Sequence, residues 1–113
     1  MTFIYKIQTK HLNEHSSLYG GQLLEWIDNY CLAKTEVYRY KADEKFVTLS
    51  INCQFLKPSY LGDLINIKIK KQTIGKKSIK LEYEVSCKKV VIAQGKCIFV
   101  KMLNDKTIPV LKK

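Results

Sequence analysis

The sequence predicts an α+β domain in which an antiparallel sheet curls around one long helix. A single stretch, from about Gly20 to about Tyr40, repeats apolar residues at helical spacing. Most of the remainder alternates apolar and polar residues with a period of two, the pattern of half-buried strands. Short turns join those strands, which favours antiparallel pairing. One helix cannot form a layer by itself, so the sheet has to bend around it.

The elements follow in order. Thr2 to Thr9 reads as a first strand because Phe3, Tyr5 and Ile7 alternate with polar neighbours. His11 to Tyr19 is a polar connection. In the helix, Leu23, Leu24, Ile27, Cys31 and Tyr38 form the apolar stripe, and Lys41 to Lys45 is a charged loop. Val47, Leu49, Ile51, Cys53 and Phe55 are expected on one face of the next strand, with Thr48, Ser50, Asn52 and Gln54 on the other. Pro58 cannot donate to a ladder, so that strand ends before it. Ile65, Ile67 and Ile69 mark a third strand, and Ile79, Leu81, Tyr83 and Val85 a fourth, with Gly75 in the turn between them. Val90 to Met102 is the last strand, and the tail from Asn104 is a short cover or a frayed end.

At 113 residues, one domain spanning 1–113 is expected. Its core is thin for an isolated monomer, and an open sheet leaves edges and one uncovered face, so a dimer is expected. No apolar run is long enough to span a bilayer, so no membrane insertion is expected. No charged segment leads into an apolar one at the N-terminus, which makes the cytoplasm the expected compartment. Cys31, Cys53, Cys87 and Cys97 form no close metal-type pair, and His11 and His15 are isolated, so packing cysteines and no metal are expected. The net charge of +10 comes almost wholly from lysine, with Arg39 the lone arginine. The lysines are scattered, unlike the clustered arginines and aromatics of a nucleic-acid surface, so no nucleic-acid partner is expected. A basic surface also suits an anionic small molecule.

The run Asn13 to Asp28 carries the candidate chemistry. Gly20 and Gly21 open the helix, where free backbone N–H groups can hold a developing oxyanion; equally, they let the loop turn into the helix. Asp28 lies about two turns further on, at the margin of the apolar stripe. A partly desolvated carboxylate there can activate water or attack directly; alternatively it is a surface acid paired with a lysine. Asn13 can orient water or satisfy a turn. His15 is a weaker candidate base, offered by the near-neutral pKa of an unperturbed histidine. Ser16 and Ser17 lack the strained elbow that exposes a nucleophilic serine.

The order Asn13, Gly20-Gly21, Leu23-Leu24, Trp26-Ile27-Asp28 resembles the signature of the hotdog-fold acyl-CoA thioesterases. The likeness continues through Val47-Thr48, Phe55-Leu56-Lys57-Pro58, Gly62-Asp63, Gly75-Lys76-Lys77-Ser78, Ala93-Gln94-Gly95 and Phe99-Val100. Ser16 stands where the family usually has glycine, and Lys76-Lys77 where it often has Arg-Thr. The resemblance implies a hotdog fold, a five-stranded sheet around the helix. It implies hydrolysis of an acyl-CoA to a carboxylic acid and coenzyme A, with no further cofactor. Asp28 is then general base or nucleophile, Gly20 and Gly21 the oxyanion hole, and Asn13 a catalytic amide acting with Asp28 of another subunit. Lys57, Gly75, Lys76, Lys77 and Ser78 would bind coenzyme A. A homodimer, assembled further as a trimer of dimers, is implied.

Other functions compete. A non-catalytic acyl-CoA-binding hotdog domain, sensing lipid metabolism, needs no acid at position 28. A dehydratase of the same fold pairs a histidine with an acid on the helix, and this helix has no histidine. A nucleic-acid role rests on charge alone.

Overall fold

The computed structural model describes residues 2–111, with side chains from residue 4 onward. Met1, Lys112, Lys113 and the Phe3 side chain lie outside the described residues, as do the ends of the expected 1–113 domain. Strand β1 (Thr2–Lys6) leads through a 3-10 turn (Thr9–His11) to helix α1 (Gly20–Thr35) and a second 3-10 turn (Glu36–Tyr38). Then come β2 (Lys45–Phe55), β3 (Leu64–Ile74), β4 (Ser78–Cys87), β5 (Val90–Leu103) and β6 (Lys106–Thr107). The strands form one antiparallel sheet in the order β1-β3-β4-β5-β2, with β6 paired to β5. This is the hotdog arrangement, with a sixth, two-residue strand added to the expected five.

Helix α1 buries Leu23, Trp26, Ile27, Tyr30 and Cys31 against the inner face of the sheet. Trp26 and Tyr30 belong to this face although the simple stripe omits them. Trp26 is held on its far side by Tyr5, stacked at 4.5 Å, and by the edge of His11 at 4.7 Å. The helix stops at Thr35, short of the expected Tyr40. There the Thr35 hydroxyl donates to the Leu32 carbonyl at 2.6 Å, competing with the backbone ladder. The chain then tightens into the 3-10 turn. Arg39 closes the charged loop that follows, donating to the carbonyls of Glu44 and Ala42.

Strand β2 departs from its expected alternation. Its register to β5 shifts between Thr48 and Ser50, leaving Leu49 as the extra residue of a bulge. Phe46 and Thr48 therefore share the inner face, and Ile51 and Cys53 take it over beyond the bulge. Val47 and Leu49 do not join them; Leu49 is 64% exposed. Further register shifts in β3 and at the start of β5 add to the curl. Close approach is sharpest at Gly95, where a Cβ would run into the Asn52 carbonyl. The Tyr83 hydroxyl donates to that same carbonyl, and burial pushes its pKa well above the usual tyrosine range.

The tail is a cover. Ile108 N–H donates to Lys101 O and Val110 N–H to Lys76 O, each at 2.9 Å, and Val110 is fully buried.

Candidate functional site

The sequence-predicted residues fall into three places. The first is the mouth at the start of α1. Tyr19 caps the helix with its carbonyl, which accepts the N–H groups of Gln22 and Leu23, and no side chain caps the end. The N–H groups of Gly20 and Gly21 are thus left over by the helix. A cavity of about 330 Å³ opens beside them, walled by Leu18, Gly20, Leu23, Phe55, Leu56 and Ile92, with Ser17, Lys57, Pro58 and Ser59. Its apolar walls with a few polar groups suit a small organic group. A Cβ on Gly20 would sit 3.4 Å from the Phe55 ring, so glycine keeps this wall open.

Asn13 lies in the loop leading to that mouth. Its side-chain oxygen accepts the N–H groups of His15 and Ser17 at 2.8 and 3.2 Å, and its amide donates to Ser17 Oγ at 3.1 Å. Asn13 therefore builds the turn. Ser16 at the tip has φ 61°, in the left-handed region that favours glycine. Ser17 is the loop's internal partner for Asn13.

The second place is mid-helix. Asp28 is half-buried, and its Oδ1 accepts the Thr48 hydroxyl at 2.7 Å. Among the described residues no lysine or arginine pairs with Asp28, so it is not a surface acid held by a counter-ion. One turn on, the Cys31 thiol is held far above its usual range by a hydrogen bond with Cys97, by burial, and by the nearby Asp28 charge. Cys53 and Cys87 are pushed up chiefly by burial. All four cysteines are free, and Cys31, Cys87 and Cys97 are buried as packing groups. Thr48 was assigned no role from sequence. Only the bulge at Leu49 explains how it comes to face the helix, and the Val47-Thr48 pair in the family likeness was its one sequence signal.

The third place is the turn Gly75 to Ser78. Gly75 N–H donates to Ser78 O at 2.8 Å, and the turn is tied to Lys101 and Val110 beyond the far end of α1. Sixteen helical residues separate the two ends, about 24 Å of helix. Within one chain, then, Lys57 and Gly20 share a cavity, while Gly75, Lys76, Lys77 and Ser78 stand apart from it. A larger groove, about 720 Å³, runs over the outside of the sheet between Lys70, Glu82, Glu84 and Lys96. It is open and charged, and contains none of the candidate residues.

The family model described as the thioesterase superfamily matches residues 15–93. The chain belongs to the thioesterase superfamily. Membership supports thioester hydrolysis as its general chemistry. No curated protein matches the sequence. The fold of this thioesterase-superfamily chain recurs in solved structures at low identity. A hypothetical protein from Aquifex aeolicus superposes with a TM-score of 0.85 at 12% identity, covering 99% of each chain. A 1,4-dihydroxy-2-naphthoyl-CoA thioesterase from Synechocystis gives 0.81 at 14%, covering 96% of this chain and 87% of the other. A gentisyl-coenzyme A thioesterase gives 0.84 at 19%, covering 96% and 94%. Among the described residues, no helix is long and apolar enough to cross a membrane.

Proposed function

We propose that the protein hydrolyses an acyl-CoA thioester to a carboxylic acid and coenzyme A in the cytoplasm. The observation that carries this reading is the Asp28–Thr48 pair, a half-buried carboxylate without a counter-ion, oriented by a hydroxyl. Asp28 takes a proton from water as the water oxygen bonds to the thioester carbon. The carbonyl oxygen gathers charge against the Gly20 and Gly21 N–H groups. The C–S bond then breaks, and the proton passes to the departing thiolate. In the nucleophilic variant the carboxylate attacks first and water cleaves the resulting anhydride. The acyl group lies in the cavity beside Leu23 and Phe55. No cofactor beyond coenzyme A is needed.

Gly20 to Asp28 spans roughly 12 Å of helix, and the Asn13 side chain is turned into its own loop. One chain therefore does not assemble the whole site. A homodimer, further arranged as a trimer of dimers, brings Asn13 of one chain and Asp28 of the other together. The same two-fold would carry Gly75, Lys76, Lys77 and Ser78 toward the partner's Lys57 to hold the coenzyme A phosphates. A second reading, an acyl-CoA sensor without hydrolysis, is favoured by one observation: the Asn13 amide is already engaged in its turn.

Release of free thiol from a panel of acyl-CoA substrates tests hydrolysis, and inactivity on every one would leave the sensor reading. Mixing Asn13→Ala chains with Asp28→Ala chains tests the shared site. Activity should return as subunits exchange. Its absence, with exchange demonstrated, would place each site within one chain.

A further inference from the structure

The exposed apolar surface is concentrated where β2 hands over to β3. Tyr60, Leu61 and Leu64 are 53%, 58% and 54% exposed. They sit around one tight turn, in which Tyr60 N–H donates to the Asp63 carboxylate and Asp63 N–H to Tyr60 O, at 2.9 and 3.0 Å. Gly62 takes φ 85° at its tip, a conformation side chains resist. Two backbone hydrogen bonds to Ile7 pin the turn against the chain leaving β1. The apolar side chains are therefore held outward, while Ile65 and Ile67 next to them fill the core.

The same end gathers lysines. Lys6 lies opposite Leu64 in the sheet, and Lys57 precedes the turn. Lys88 and Lys89 form the β4–β5 turn with φ 52° and 65°, an unusual conformation for two lysines, and one that projects both from the tip. The acid in the turn, Asp63, is already matched by Lys88 Nζ at 3.5 Å. The patch is apolar at its centre and basic at its rim.

We propose that this end of the molecule docks shallowly on an anionic lipid surface. Tyr60, Leu61 and Leu64 enter the interface, where tyrosine and leucine are well placed, and Lys6 and Lys89 meet the headgroups. Charge selects this occupant. A second copy docked here about a two-fold would bring the same lysines to a face already basic. Neither signal suffices alone, since a few apolar side chains or a few lysines give only marginal attachment. Ser17 bridges to Tyr60, so the patch adjoins the cavity mouth. Docking is independent of the proposed hydrolysis.

Co-sedimentation with vesicles tests it, using phosphatidylcholine alone and an equal mixture with phosphatidylglycerol. The protein should sediment with the anionic vesicles and not the neutral ones. The Tyr60→Ser/Leu61→Ser variant should partition about tenfold less or weaker still, with its melting temperature and turnover of a short-chain acyl-CoA unchanged. Lys89→Glu should weaken the same association. Three results would each overturn the proposal: no sedimentation with anionic vesicles, sedimentation of both variants equal to that of the wild type, or a change of oligomeric state in Tyr60→Ser/Leu61→Ser by light scattering. The last would make the turn a contact between copies.

Discussion

At its start, α1 has no side-chain cap, and its first residue, Gly20, faces a cavity. At its end, every nearby polar group is matched. Thr35 is buried with its hydroxyl bonded, and the loop that follows is tied to β5 and the tail by Lys101. Lys101 is 1% exposed, yet its ammonium meets Glu44 at 3.2 Å, the Val110 carbonyl at 3.1 Å and the Tyr40 ring at 4.1 Å. Three donors find three partners. Glu44 also accepts the N–H groups of Tyr40 and Lys41. One end keeps donors in reserve; the other consumes its polar groups. Asp28 belongs to the first kind, holding one hydroxyl and no cation. The difference separates a part with groups free to meet a ligand from a part that holds the chain together.

The largest expected effect breaks the reactive half. Asp28→Asn keeps shape and removes the base, so turnover should fall about a hundredfold or more with the melting temperature little changed. Steady-state kinetics beside a thermal melt check this, and wild-type-like turnover would remove Asp28 from the mechanism. Thr48→Val sharpens the assignment by removing one hydrogen bond to that carboxylate. Its turnover should fall about tenfold, the scale of one such bond in the transition state, and Thr48→Ser should recover much of it.

Substitutions in the closed half should do the opposite. Lys101→Met leaves Glu44 without its cation, and Glu44→Gln leaves Lys101 without its anion. Each should lower the melting temperature while preserving turnover per folded molecule. Their combination should cost less than the sum, because neither charge is then left unmatched. Calorimetry on the four proteins measures the coupling.

The smallest expected effect is the pH dependence of that closed half. The Tyr40 backbone N–H, then Lys101, hold the Glu44 carboxyl below its ordinary value of 4.5. A pKa lowered on folding contributes stability above the unfolded value and loses it as pH falls through the folded one. Melting temperature should therefore drop with acidification below about pH 4.5, and less steeply in Glu44→Gln.

Much of this division was legible in sequence. The helix start at Gly20, the strand alternation through Ile65 to Ile69 and Ile79 to Val85, and Asp28 at the edge of the stripe all follow from residues a few positions apart. The helix end was not legible, because Tyr38 continues the stripe while Thr35 bends its hydroxyl to the backbone. The Asn13 loop was legible in part, since satisfying a turn was one of the two readings of that asparagine and the turn is present.

The sequence by itself determined the periodicities, hence a helix and a curled antiparallel sheet, and it determined which residue types stand at the helix start. The tertiary structure alone decided which of them meet. The Leu49 bulge turns Thr48 toward Asp28, an inward position on β5 buries Lys101, and the length of α1 sets Gly75 to Ser78 far from Gly20. The physical reason is one of range: periodicity is a property of neighbours along the chain, whereas register, bulges and buried ion pairs exist only once a partner strand is in place.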